Sequence, residues 1–156
     1  MNFNNRYHGD FDHFVERLFL PGLVESGCFW AWTAGWWAAH KANPEAIHWV
    51  GYEDLKADPE GCIATVARFC AIPADAGVVK AVATGSSFDT MKRVFAEMDK
   101  GKLARGERVK KNHIRAGKKG GWRSMFSDAL AEKFDLHHEK KCKELGLPDD
   151  LFDFGI

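Results

Sequence analysis

No apolar run in the chain approaches the ~20 residues needed to span a bilayer; even the tryptophan-rich stretch is broken by His40 and Lys41. The opening residues, Met1-Asn2-Phe3-Asn4-Asn5-Arg6, lack the apolar segment of a signal peptide. Cysteine is sparse. Cys28, Cys62, Cys70 and Cys142 show no C-x-x-C or other metal spacing, which argues against a zinc site. Thiols used this way point to a reducing, cytoplasmic compartment. Excess charge of either sign is also missing, with 22 basic and 22 acidic side chains. There is no internal repeat and no low-complexity tract. At 156 residues the chain has room for one domain with a real core.

Aromatic residues, by contrast, are abundant. With 12 Phe and 6 Trp, ring packing is expected to dominate that core. Met1 to Gly9 reads as irregular. Phe11, Phe14, Val15, Leu18 and Phe19 then follow the spacing of an amphipathic helix, with Asp10 as N-cap and Pro21-Gly22 as its end. Phe29 to Lys41 reads as a second helix bearing Trp30, Trp32, Trp36 and Trp37. Such indoles could form a stacking platform for nucleic-acid bases. Almost no basic residues accompany them, however, and a helix apolar on most faces is usually buried, so they are assigned to the core.

Ala46 to Tyr52 is the one segment that reads as a strand. It is short, nearly continuous in apolar and β-favouring residues, and flanked by helical patterns, as expected of a parallel strand buried on both faces. His48 within it is a candidate ligand or base, although a lone buried histidine is more often a hydrogen-bonded core residue. Tyr52 stands at the strand's carboxyl end, where open α/β sheets dock ligands. Asp58-Pro59 marks a further helix start. Ile63, Val66, Ala67 and Cys70 form its buried face, and Cys62 and Cys70 read as small core residues. Asp75 to Thr84 is another helix, through Val78, Val79 and Val82.

Gly85-Ser86-Ser87-Phe88-Asp89-Thr90-Met91 reads as a Gly-Ser turn entering a short helix. Its hydroxyls and free N–H groups either hold a polar ligand or simply cap the helix. Residues 92–121 read as a long basic loop, a length usually reserved for function or disorder. The last helix runs from about Ser127 to Leu145 and stops at Gly146. The tail after it, with Leu147, Leu151, Phe152, Phe154 and Ile156, is expected to dock on an apolar surface.

Charge is concentrated in one window. From Lys100 to Arg123 there are ten basic residues against one acid, Glu107, while the rest of the chain carries an equal and opposite net charge. Within the window, His113 to Trp122 holds three glycines and three cationic side chains. Glycine allows close backbone approach and positive φ, successive free N–H groups form an anion-binding concavity, and arginine offers a fork for phosphate oxygens. The alternatives are an anion cradle and a merely solvated basic loop; the charge asymmetry favours the cradle.

Several of these fragments occur together in an order that resembles the cytosolic-type sulfotransferases. Gly27 through Trp36-Trp37 is similar to the family's aromatic helix with its Trp pair. Tyr52-Glu53-Asp54-Leu55, Lys56 and Asp58-Pro59 resemble its "YEDL-K-DP" element, and Ser87-Phe88 with Met91 its "TSF--M" turn. Arg115-Ala116-Gly117 through Gly121-Trp122 resembles "RKG--G-W", and Glu132-Lys133-Phe134-Asp135 the run that follows.

The resemblance implies an α/β fold. The chain would be a single partial domain over residues 1–156, the carboxyl-terminal half of a P-loop-like sulfotransferase, mostly helical with about one parallel strand. It implies 3′-phosphoadenosine 5′-phosphosulfate as cofactor and sulfuryl transfer to a hydroxyl or amine on a small-molecule acceptor. Tyr52 and Ser86 would then hydrogen-bond the adenine, with Ser87 and Met91 in the same turn and Phe88 stacked on the ring. Arg115 would pair with the 3′-phosphate beside the N–H groups of Ala116 and Gly117, Ala116 standing where the family has Lys. The family's dimerisation stretch corresponds to Arg123, Ser127, Asp128 and Glu132, with an acid where the family has Val. Its phosphosulfate loop has no counterpart here, nor do its general-base histidine and the Arg and Ser that complete the 3′-phosphate site. His8 and His13 fall too late in the family's order to be that base.

The expectation is therefore a sulfotransferase-family protein, no residue of this chain being assigned as catalytic, and inactive as an isolated chain. The alternative is a non-catalytic nucleotide- or anion-binding remnant acting as an interaction module. Self-association or a complementary chain would give the lone strand neighbours. No membrane partner is expected, and nucleic acid is disfavoured because aromatics do not interleave the basic window.

Overall fold

Local hydrogen bonding decides where most helices begin. The structure, a computed structural model, describes residues 7–109, 117, 121, 123–148 and 151–152. Helix α1 (Phe11–Phe14) starts where the Asp10 carboxylate accepts from the His13 N–H at 2.7 Å, and it continues as a π-helical turn over Val15–Phe19. Helix α2 spans Phe29–Ala42 and α3 spans Tyr52–Ala57. Helix α4 (Pro59–Phe69) is capped by Asp58, which accepts from the Gly61 N–H at 2.9 Å, with Pro59 at the first helical position. Helix α5 (Ala76–Gly85) is capped by Asp75 on the Val78 N–H at 2.8 Å. Helix α6 (Phe88–Ala104) begins at Ser87, and a 3₁₀ turn covers Arg123–Met125. Helix α7 (Asp128–Leu145) begins at Ser127 and stops at Gly146, whose φ of +63° is the left-handed stop that glycine makes easily.

The chain divides into two compact units, residues 1–49 with 119–156, and residues 50–118. The first unit is built around α2 and α7. Trp30 is its centre, at 0% exposure. Val15, Leu20, Leu130, Phe134, Cys142 and Leu147 are buried with it, and Phe29, Phe126, Leu151 and Phe152 pack on them. Rings meet Trp30 from several sides, Phe29 edge-on at 5.5 Å and Phe134 at 6.0 Å between centroids. The indole N–H donates to His138 Nδ1 at 2.9 Å. An indole nitrogen only donates, so His138 carries its own proton on Nε2, and Cys142 Sγ lies 3.6 Å from that atom. His137, one residue earlier, is different. Its Nε2 is buried without a hydrogen-bond partner among the described residues. Burial, reinforced by Lys141 and Lys140, holds its pKa below the ordinary 6.5. Two contacts fasten α1 and its π-helical turn to α7: Ser127 Oγ donates to Asp12 at 2.7 Å, and Lys133 pairs with Glu16.

The second unit stacks α3 on α4, α4 on α5 and α5 on α6. It has little interior. Val79, 7% exposed, is its one fully buried residue among those described. Helix α4 ends in a left-handed residue that is not glycine: Ala71 has φ +54°, and the Ile72 N–H donates back to the Ala67 carbonyl at 2.8 Å.

Several sequence expectations need correction. No strand is present among the described residues, so the parallel strand over Ala46–Tyr52 does not form. A strand needs a neighbour to take its backbone groups. Here they are satisfied locally: the Ala46 and Ile47 N–H groups donate to the Asn43 carbonyl, and the Ile47 carbonyl lies 2.8 Å from His40 Nδ1. Tyr52 accordingly starts a helix instead of closing a strand. The helix after the Gly-Ser turn is not short, and residues 92–104 are helical where a loop was expected. The i, i+3 pairs Lys100–Glu97 and Lys102–Asp99 suit a helix surface, and charge had been mistaken for looseness.

Trp32 and Trp36, 61% and 48% exposed, are not core. They lie one turn apart, turned away from Trp30, which α2 buries with Thr33. In α4 the expected buried face is at best half-covered, with Val66 and Cys70 exposed. Val78 and Val82 in α5 are likewise exposed beside the buried Val79. Leu147, Leu151 and Phe152 dock on the first unit's core as expected of the tail, whereas Phe154 and Ile156 lie outside the described residues. Among the described residues no helix is long and apolar enough to cross a membrane, and no cluster of three or more His, Cys, Asp or Glu has the geometry to hold a metal ion.

Candidate functional site

The second unit carries every described residue singled out for nucleotide binding: Tyr52, Ser86, Ser87, Phe88, Met91 and Gly117. Arg115 and Ala116 lie outside the described residues. Ser86 is the C-cap of α5 and Ser87 the N-cap of α6, so one serine ends a helix and the next begins another. The Ser86 hydroxyl donates to the Val82 carbonyl at 2.8 Å. Its proton is used, and its lone pairs remain. Ser87 Oγ accepts from the Thr90 N–H at 3.4 Å, which leaves its own O–H free to donate. The two neighbouring exposed hydroxyls therefore offer opposite polarity, one as acceptor and one as donor.

Phe88 follows as the first residue of α6 and is half-buried. Gly117 lies against it. A Cβ on Gly117 would overlap the Phe88 ring at Cδ2 and stand 2.8 Å from Cγ and Cε2. Gly117 also has φ +61°, a left-handed conformation. Met91, one turn along α6, is half-buried as well. Tyr52 opens α3 with its side chain 50% exposed, and among the described residues its hydroxyl has no hydrogen-bond partner. The fold thus brings Phe88 and Gly117 into contact and sets the serine pair directly before the ring. Tyr52 shares their unit, with no hydrogen bond or ring contact to them among the described residues.

The cations of the basic window are not equivalent. Lys100 pairs with Glu97 at 2.7 Å, Lys102 with Asp99 at 3.8 Å and Arg105 with Glu107 at 2.6 Å. All three pairs are local to α6 or its end, so these charges are partly spent before any ligand arrives. Lys92 and Arg93, within the basic stretch that opens at residue 92, are exposed on α6 just after Met91. The contact of Phe88 with Gly117 had no signal in the sequence, because nothing local to either residue names the other. Ser127 and Asp128, aligned with the family's dimerisation stretch, serve here as the cap and first residue of α7, where an acid is favourable.

A flat base needs a ring to lie on and edge groups of both polarities, and residues of those types, Phe88, Ser86, Ser87 and Tyr52, belong to this unit.

Comparison with known proteins points the same way. The family model described as a sulfotransferase domain matches residues 1–146. Flavonol 3-sulfotransferase of Flaveria bidentis is 29% identical over 88% of this chain and 46% of its own length. Cytosolic sulfotransferase 12 of Arabidopsis thaliana is 33% identical over 87% of this chain and 42% of its own. The crystal structure of mouse sulfotransferase SULT7A1 complexed with PAP superposes with a TM-score of 0.69 at 22% identity, over 90% of this chain and 50% of that one. The chain spans about half the length of the relatives it matches. A match along nearly all of the chain, in sequence profile and in fold, makes it a member of the cytosolic-type sulfotransferase family.

Proposed function

We propose that this chain supplies the nucleotide-binding end of a sulfotransferase site. It holds the adenine and 3′-phosphate of 3′-phosphoadenosine 5′-phosphosulfate, from which a sulfuryl group passes to a hydroxyl or amine of a small acceptor. The observation that carries this reading is the seating of the Phe88 ring on left-handed Gly117. It joins the residue suited to stack on a base to the segment that contains Arg115. The family match and the PAP complex of mouse SULT7A1 support it.

Phe88 lies against one face of the adenine, Tyr52 and Ser86 hydrogen-bond its edge, and Ser87 and Met91 border it. Arg115 forks onto the 3′-phosphate, beside the N–H groups of Ala116 and Gly117. When bound, the nucleotide supplies the activated sulfuryl group. Transfer forms a bond from the acceptor atom to sulfur and breaks the bond from sulfur to the bisphosphate, while a base takes the acceptor's proton. Such a step needs in-line positioning and charge neutralisation on the moving group. No phosphosulfate-loop motif occurs in this sequence, and on this reading the chain alone binds without transferring. A cytoplasmic setting agrees with the named cytosolic relatives.

Calorimetric melting tests the reading. Saturating adenosine 3′,5′-bisphosphate should raise the melting temperature. Arg115→Ala should abolish the rise, and Lys102→Ala, whose ammonium is already paired with Asp99, should keep it. Equal losses would reduce the effect to unspecific charge attraction. Sulfuryl transfer to a phenol by the purified chain would overturn the division of labour proposed here.

A further inference from the structure

Gly117 is held to glycine twice. Its φ of +61° disfavours most side chains, although Asn or Asp tolerate that region. The second constraint is stricter: any Cβ there meets the Phe88 ring. By comparison, Gly85, at the end of α5, has open space where its Cβ would stand. Phe88 cannot retreat through its backbone, because the Ser87 cap and the first turn of α6 fix it. On the Phe88 side, relief of an added methyl would come from rotation of the ring. The bare Cα of Gly117 thus bears on the attitude of the ring, independently of anything its N–H does.

We propose that Gly117 is a positioning residue for nucleobase selectivity, seating Phe88 so that it favours a purine over a smaller base. This rests on the reading of Phe88 as the adenine platform. Base-on-aromatic stacking is strong enough for its geometry to matter, and larger ring systems gain more from it. A role confined to the phosphate would affect every 3′,5′-bisphosphate alike.

The experiment titrates adenosine 3′,5′-bisphosphate and uridine 3′,5′-bisphosphate into the wild-type chain, Gly117→Ala, Phe88→Leu and the double variant. The wild type should prefer the adenosine compound by about tenfold. Gly117→Ala should shrink that preference to the level of Phe88→Leu, on top of any loss that both nucleotides share through the 3′-phosphate. The double variant should be no worse than Phe88→Leu, because leucine vacates the space the methyl needs. Equal loss for both nucleotides in Gly117→Ala, or additive losses in the double variant, would overturn the proposal. If Gly117→Ala does not fold and the double variant does, a double variant with the adenosine preference of Phe88→Leu supports the proposal and one with a further loss of preference overturns it; if neither folds, it falls. A wild-type chain that binds neither bisphosphate overturns the nucleotide reading itself, whereas an unaltered preference in Gly117→Ala overturns only the role of Gly117.

Discussion

His137 stores an acid sensitivity in the first unit. Burial, then Lys141 and Lys140, depress its folded pKa below 6.5, so the unfolded chain takes up that proton more readily than the folded one. Its contribution is complete above about pH 6.5 and is lost as the pH falls from there toward the folded value. Melting temperatures measured between about pH 8 and about pH 5 should fall toward acid. His137→Leu, which removes the buried unpartnered Nε2 and keeps an apolar side chain, should flatten the slope. A slope unchanged by that substitution would move the acid sensitivity to another group. His138 is the instructive neighbour. Its ring accepts the Trp30 N–H and contributes to the core, a role that one position of difference along α7 decides. Neither role was legible in the sequence, because each depends on which ring of α2 faces the histidine.

At the scale of elements, Ser127 shows how much hangs on one cap. Its oxygen accepts from the Leu130 N–H at 3.3 Å and its proton goes to Asp12. Ser127→Ala should cost about 1–2 kcal/mol in urea denaturation. Ser127→Thr should recover most of that loss, and a silent alanine variant would mean the helix start is held by packing alone. Such caps were readable in advance. Asp10, Asp58 and Gly146 act within three or four residues of themselves, so the sequence around them contains the whole interaction. The Ala46–Tyr52 segment was misread for the converse reason, since its β-favouring side chains say nothing about whether a partner strand is in reach. The length of α6 was missed because its charges obscured the apolar stripe, although the same charges pair along the helix. For the candidate site, the residue types were legible through family resemblance. The seating of Phe88 on Gly117 was not, being a contact between distant parts of the chain.

Across the whole molecule the two units differ in how much they bury. Among the described residues, the first encloses Trp30 among six other buried apolar side chains, whereas the second has Val79 alone. Opening free energy follows buried apolar contact. Amide hydrogen exchange should therefore find α2 and α7 better protected than α4, α5 and α6, and uniform protection would contradict this division. Adenosine 3′,5′-bisphosphate should slow exchange first in the second unit, where the described nucleotide residues lie. The distribution of indoles has an optical corollary. Trp30, Trp32, Trp36, Trp37 and Trp49 all belong to the first unit, while Tyr52 is the second unit's one described phenol. Ultraviolet emission from those indoles thus reports on the unit that does not hold the described nucleotide residues, and a titration is better followed through the Tyr52 phenol.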